Sequence, residues 1–253
     1  MQVPHHDDLP TNLDETQGHS RDRYQAEFLG ALREAGDLMR SVGVRDSEYM
    51  VIAGGGVFLH QLAEIGESER APTDLDIVIF NEPGRHALCS EIAHVGPLYL
   101  KNVRMVTEPR HHHGLIFTNP IVESESSAGF PVDFIAETMI TVFPAGHPLM
   151  GGCDFRYPTE NQRLFELARR ADIQGCGEVL VAPAALIAFY KIAMQRNING
   201  KQDNHDLVRL AELGLLAPER EDVQEVLDIL TQGNHVLKVK VEEHLRGLQK
   251  FGY

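Results

Sequence analysis

The sequence predicts an α+β fold: a mixed sheet flanked by helices in the first half, followed by a C-terminal helical domain. Two patterns predict it. Up to about residue 158, short apolar runs bounded by turn residues alternate with helical periodicities. Beyond that point, apolar residues recur mainly at spacings of three and four. With 43% hydrophobic and 24% charged residues in a chain of 253, the composition is that of a folded protein with a sizeable core, not of a disordered one.

Residues 1–20 are rich in Pro, His, Asp and Gly and read as a flexible tail. Over 21–41, Tyr24, Phe28, Ala31, Leu32, Ala35, Leu38 and Met39 share one helical face, and Gly43 supplies a stop. Residues 49–53 form a buried-strand run broken by Gly54, Gly55 and Gly56, and helical spacing resumes at Val57. Residues 66–73 read as a loop, 75–80 as a strand and 84–93 as a helix. Further strands are expected at 103–107, 115–118 and 131–136, and the Ser- and Glu-rich stretch 123–129 as a hairpin loop. The first domain is thus 21–158, around one sheet. The second, 159–253, opens on a Thr159-x-x-Gln162 capping box. Its helices follow Pro183 and Asp203, with Gly214 ending the second, and two more cover 219–230 and 236–248.

Charge and cysteine content narrow the function. Against 23 Lys and Arg stand 37 Asp and Glu, a net charge of −14. Such a field repels polyanions, so a general nucleic-acid coat is excluded. A local basic surface from Arg169, Arg170, Lys191, Arg196 and Lys201 is still compatible. No apolar run approaches the roughly 20 residues that span a bilayer, and the polar, acidic N-terminus lacks a signal-peptide pattern. Cys89, Cys153 and Cys176 show no CxxC spacing and read as buried or free thiols. A cytoplasmic protein without membrane contact is expected.

The residues that carry chemistry are few. Asp74 and Asp76, separated by one residue, point to the same side of a strand. Carboxylates that close repel unless a cation sits between them, and a hard dication, Mg2+ or Mn2+, suits oxygen ligands. Asp133 sits inside the apolar strand Phe130-Pro131-Val132-Asp133-Phe134-Ile135, where an acid needs a partner. The glycines before Val57 let phosphate approach the backbone, and the helix that follows adds a positive dipole. Thr73 either hydrogen-bonds phosphate or fixes the turn. Lys191, on an apolar helix, either snorkels to water or contacts phosphate. Asp203 reads as a helix cap, and Asp206 as an exposed first-turn acid or an anchor for Lys191 or Lys201. His111, His112 and His113 read as a solvated loop.

The segments GGGVFLHQLA, RAPTDLDIVIF and FPVDFIAE together resemble the polymerase-beta-type nucleotidyltransferase superfamily. The stretch LVAPAALIAFYKIAMQRNINGKQDNHDLVRLAELG is similar to the helical region of its AbiEii-like branch, which includes toxins of abortive-infection systems. The resemblance implies a nucleotidyltransferase-type mixed sheet and an enzyme moving an NMP from an NTP, ATP among them, to a hydroxyl acceptor. It makes Gly54 and Gly55 the phosphate-binding pair, with Thr73 and Lys191 also at the nucleotide. It makes Asp74, Asp76 and Asp133 the catalytic, metal-binding acids. It leaves tRNA, a protein or a small molecule as acceptor, and an antitoxin as partner. The alternative is a catalytically silent nucleotide-binding or partner-sequestering module of the same fold.

Overall fold

The structure, a computed structural model, describes residues 13–68, 72–80, 87–107, 110–112, 115–117, 121–136, 140–142, 154–156, 161–194 and 203–249. In chain order these form α1 (Leu13–Ser41), β1 (Tyr49–Val51), α2 (Ala53–Ile65), β2 (Leu75–Ile79), α3 (Leu88–Val95), β3 (Lys101–Val106), β4 (Arg110–His112), β5 (Leu115–Phe117), β6 (Ile121–Glu125) and β7 (Pro131–Ile135). There follow β8 (Ile140–Val142), β9 (Asp154–Arg156), α4 (Gln162–Glu166), β10 (Arg169–Ile173), β11 (Gly177–Val181), α5 (Ala184–Met194), α6 (Asp203–Glu212), α7 (Glu221–Thr231) and α8 (His235–Gln249). No described helix is long and apolar enough to cross a membrane.

The main sheet is mixed and has seven strands, in the order β10-β11-β1-β2-β7-β6-β3. Strand alternation splits its apolar residues between two cores. Tyr49, Val51, Leu75, Ile77, Val132 and Phe134 pack toward α1 and α3, around Phe28, Leu38 and Ile92. Met50, Val78 and Ile135 face the other way, onto a helical layer that includes Leu186, Phe189, Leu207, Leu227 and Val241. A second sheet, β4-β5-β8-β9, is antiparallel throughout.

Several expectations are corrected. Residues 13–20, read as part of the tail, are helical backbone continuous with α1. The stretch assigned wholly to the helical domain contains the hairpin β10–β11, which joins the main sheet through a parallel β1–β11 pair. Its signal was present: Ala171, Ile173, Val179 and Val181 point inward, and Gly175 and Gly177 supply positive φ at the turn. The helix at 162 is capped by Asn161, whose Oδ1 accepts from the Leu164 amide at 3.3 Å; Thr159 lies outside the described residues. The start of the supposed loop 123–129 is the end of β6. Leu115 to Phe117 do form a strand, but in the second sheet. His111 and His112 lie on β4 rather than in a loop.

The glycines belong to the first turn of α2 rather than to a loop. A Cβ on Gly55 would meet the Phe28 ring at 3.0 Å and Val51 Cγ1 at 3.1 Å. On Gly56 it would lie 2.6 Å from Ile187 Cδ1 and 3.2 Å from the Val51 carbonyl oxygen. At Gly54 it would meet nothing within 4 Å. Overpacking at such points costs about 1–3 kcal/mol. Gly55→Ala and Gly56→Ala should therefore each lower the melting temperature by roughly 2–12 °C, whereas Gly54→Ala should leave it nearly unchanged. Ile187→Val, which removes the clashing methyl, should restore part of the loss in the Gly56→Ala background. Equal stability of all three alanine variants in a thermal melt would refute this packing role.

Candidate functional site

The acids come together through strand register. β2 and β7 are parallel neighbours, and Asp76 is the register partner of Asp133. On the other side of β7, antiparallel β6 places Glu123 opposite Asp133, and β3 places Arg104 opposite Glu123. Residues paired in register share a face, with Cβ atoms of direct antiparallel partners about 4.5–5.5 Å apart. A row therefore crosses four strands: Asp76, Asp133, Glu123, Arg104. It lies on the face that carries Val78 and Ile135. The helical layer buries those two residues, but Asp76, Asp133 and Glu123 are only half-buried. The row thus runs along a rim where the helices stop covering the sheet.

The α2 turn abuts this rim. The Ile52 amide donates to the Asp76 carbonyl at 3.0 Å, so the N-terminus of α2 begins beside Asp76, on the side away from Asp133. Ile52 makes no side-chain cap. Ala53 has φ 53, a left-handed conformation that costs a non-glycine residue on the order of 1 kcal/mol and recurs at functional turns. Gly56 N–H bonds back to the Ile52 carbonyl. Of the two glycines expected to approach phosphate, Gly54 has open space on its Cα, while Gly55 is tight against Phe28.

The remaining expected site residues fall in different places. Asp74 precedes β2, half-buried, with the exposed Thr73 hydroxyl donating to its Oδ1 at 3.3 Å. All the acids of the row are carboxylates, the donor chemistry a hard dication takes. Among the described residues, no three His, Cys, Asp or Glu side chains gather closely enough to hold a metal ion. Strand register brings Asp76 and Asp133 side by side, and Asp74 lies two residues before Asp76, at the turn into β2.

Lys191 is buried, with a side chain 6% exposed; it does not snorkel to water. Its Nζ donates to Asp206 Oδ2 at 2.6 Å and to Asp203 Oδ1 at 3.3 Å. Of the two expected roles of Asp206, anchoring Lys191 is the one found, and the side chain of Asp203 turns to the lysine as well. The basic surface expected from Arg169, Arg170 and Lys191 is largely neutralised: Arg169 pairs with Glu64 and Arg170 with Glu178. Arg196 and Lys201 lie outside the described residues, as do Arg70, His113 and Cys153. Cys89 is buried, and the half-buried Cys176 donates from Sγ to the Leu29 carbonyl oxygen at 3.4 Å.

Sequence reading missed Glu123, which it placed in a loop. The signal was the alternation Val122-Glu123-Ser124-Glu125, in which Val122 and Ser124 face inward. The chain matches no protein-family model and no curated protein.

One further polar group fixes α2. His60 is 2% exposed, and its Nε2 lies 2.9 Å from the Ala182 carbonyl oxygen, at the junction of β11 and α5. That contact requires a proton on Nε2. Burial lowers the His60 pKa from 6.5 to about 4, and the Ala182 carbonyl only partly offsets this.

Two predictions follow from these buried groups. Because folding depresses the His60 pKa, its contribution is fully present above about pH 6.5 and disappears as the pH falls toward 4. The size is on the order of 3 kcal/mol. Urea melts of wild type and His60→Gln between pH 7 and pH 4 should show this part of the slope only in wild type; parallel slopes would dismiss it. Lys191→Met removes the cation that two buried carboxylates share and should cost roughly 3–5 kcal/mol. Adding Asp203→Asn and Asp206→Asn should recover most of that loss, as read from denaturation midpoints.

Proposed function

We propose that this chain is a metal-dependent nucleotidyltransferase of the polymerase-beta type, moving an NMP from an NTP to an acceptor hydroxyl. The observation that carries the reading is the in-register Asp76–Asp133 pair on neighbouring strands, set beside the glycine-rich N-terminus of α2. The sequence resemblance and the mixed sheet with its helical layer are compatible with it.

In this reading the first turn of α2 receives polyphosphate. The Gly54 backbone is open to approach, and the positive end of the helix dipole faces the anion. Asp76 and Asp133, with Asp74 from the turn before β2, would hold the cation that accompanies the nucleotide. Mg2+ or Mn2+ would supply charge stabilisation of the transferring phosphoryl group. Asp133, farther from α2 than Asp76, orients the acceptor hydroxyl. Lys191 serves by holding α5 against α6, because its Nζ already serves two aspartates. Neutralisation of Arg169 and Arg170 favours a protein or small-molecule acceptor over tRNA. A toxin role with an antitoxin partner is supported by the sequence resemblance alone.

The alternative is a nucleotide-binding module of the same fold without turnover. Label transfer separates the two. Incubating the protein with each α-labelled NTP, Mg2+ and a cell extract should yield a labelled acceptor and pyrophosphate. Nucleotide binding without label in any fraction would select the silent module instead.

Ligand linkage provides a second check. An NTP with Mg2+ at 100 times its dissociation constant should stabilise the protein by about 2.7 kcal/mol, or roughly 5–11 °C. Asp76→Asn should fold normally and abolish this shift. Asp133→Asn should keep more of the shift but lose transfer by several orders of magnitude. A wild-type protein that no NTP stabilises would end the reading.

A further inference from the structure

The row of charges does not end at Asp133. Glu123 is its direct neighbour on β6, and Arg104 lies beyond on β3. Arg104 donates to Glu123 Oε2 from Nε at 2.8 Å and from Nη2 at 2.6 Å. The Glu123 side chain is 16% exposed, whereas Arg104 is 73% exposed. Two carboxylates directly opposite each other on paired strands are destabilising. Arg104 offsets that repulsion from the far side of Glu123 and orients its carboxylate.

Sheet order places this pair relative to the reaction. The α2 N-terminus flanks Asp76 on the β1 side; Glu123 and Arg104 flank Asp133 on the β6 and β3 side. Strand spacing of about 4.8 Å puts Glu123 roughly 10 Å from Asp76 across the sheet. Phosphoryl transfer is an in-line displacement, with attacking and leaving oxygens on opposite sides of phosphorus. If polyphosphate leaves toward α2, the attacking hydroxyl comes over β7 and β6. Resting on the transferase reading above, we propose that Glu123 is an acceptor-binding residue. Its carboxylate accepts a hydrogen bond from the hydroxyl-bearing acceptor, and Arg104 is the positioning residue that holds it. No bond to Glu123 is made or broken: the acceptor oxygen bonds phosphorus, pyrophosphate departs, and the hydroxyl proton is lost at the Asp133 side.

The test uses the full chain, with α-labelled NTP, Mg2+ and a titrated cell extract as the acceptor source. The variants are Glu123→Ala, Glu123→Asp and Arg104→Gln. The carboxylate lies at a rim and Arg104 in water, so all three should fold with wild-type melting temperatures to within a few degrees. Their stabilisation by NTP and Mg2+ should match wild type, because the nucleotide sits across Asp133 from Glu123. The amount of extract giving half-maximal labelling should rise about ten- to hundredfold in Glu123→Ala, the range expected on losing a hydrogen bond to a charged group. It should rise less in Glu123→Asp and Arg104→Gln, while the rate at saturating extract changes little. An unaltered extract dependence in Glu123→Ala, alongside active wild type, overturns the assignment and leaves the transferase reading intact. Loss of the nucleotide-induced shift in that variant also overturns it, by moving Glu123 to the nucleotide side. Absence of both labelling and shift in wild type removes the transferase reading, and this inference falls with it.

Discussion

The geometry of the candidate site hangs on how closely the first turn of α2 approaches its neighbours. Gly55 rests on the Phe28 ring and on Val51, and Gly56 rests on Ile187 and the Val51 carbonyl. Phe28 belongs to the core under α1, and Ile187 to the core under the C-terminal helices. The same turn therefore ties the two faces of the sheet together at the end of β1. Any side chain larger than hydrogen there pushes α2 away from β1, and with it the backbone that begins beside Asp76. The glycine run has two separable duties: Gly55 and Gly56 provide packing, and Gly54 leaves an open surface.

Two groups of like charges meet different solutions in this fold. In the helical layer, the buried Asp203 and Asp206 both pair with the buried Lys191. A buried carboxylate is tolerated only with such a partner and with hydrogen bonds. That ion cluster joins α5 to α6, and α5 in turn carries Ile187 onto Gly56. At the rim of the sheet, Asp76, Asp133 and Glu123 stand side by side with partial access to water, and Arg104 closes the row. The proposed chemistry uses the rim, where the acids keep partial access to water, and Lys191 ties α5 to α6 through Asp203 and Asp206.

Much of this was legible in the chain alone. The long α1, the β1–turn–α2 unit, β2, β7 and the helices α5 to α8 all follow from periodicity, glycine and proline placement, because each buries a continuous apolar face. The acids Asp76 and Asp133 also stood out, since each lies in an apolar strand and the two follow a glycine run. The hairpin β10–β11 was harder, because Arg169 at its start and Arg170, Asp172 and Glu178 on its other face mask the alternation of Ala171, Ile173, Val179 and Val181. Strands of three residues, such as β4, β8 and β9, carry too few positions for any period to show.

The amino-acid sequence by itself determined the α+β class, the order of most elements, and the identity of the carboxylates and glycines. Tertiary structure decided which of them meet. Register across β2, β7, β6 and β3 is a property of pairing between strands far apart in the chain, so the neighbourhood of Asp76, Asp133, Glu123 and Arg104 is invisible in local spacing. Packing between helices likewise decided that Lys191 turns inward to Asp203 and Asp206, and that Gly55 and Gly56 fill contacts with Phe28 and Ile187. Local sequence sets what each segment prefers; contacts between distant segments set where its charges end up, because burial and partner distance govern what an ionised group costs.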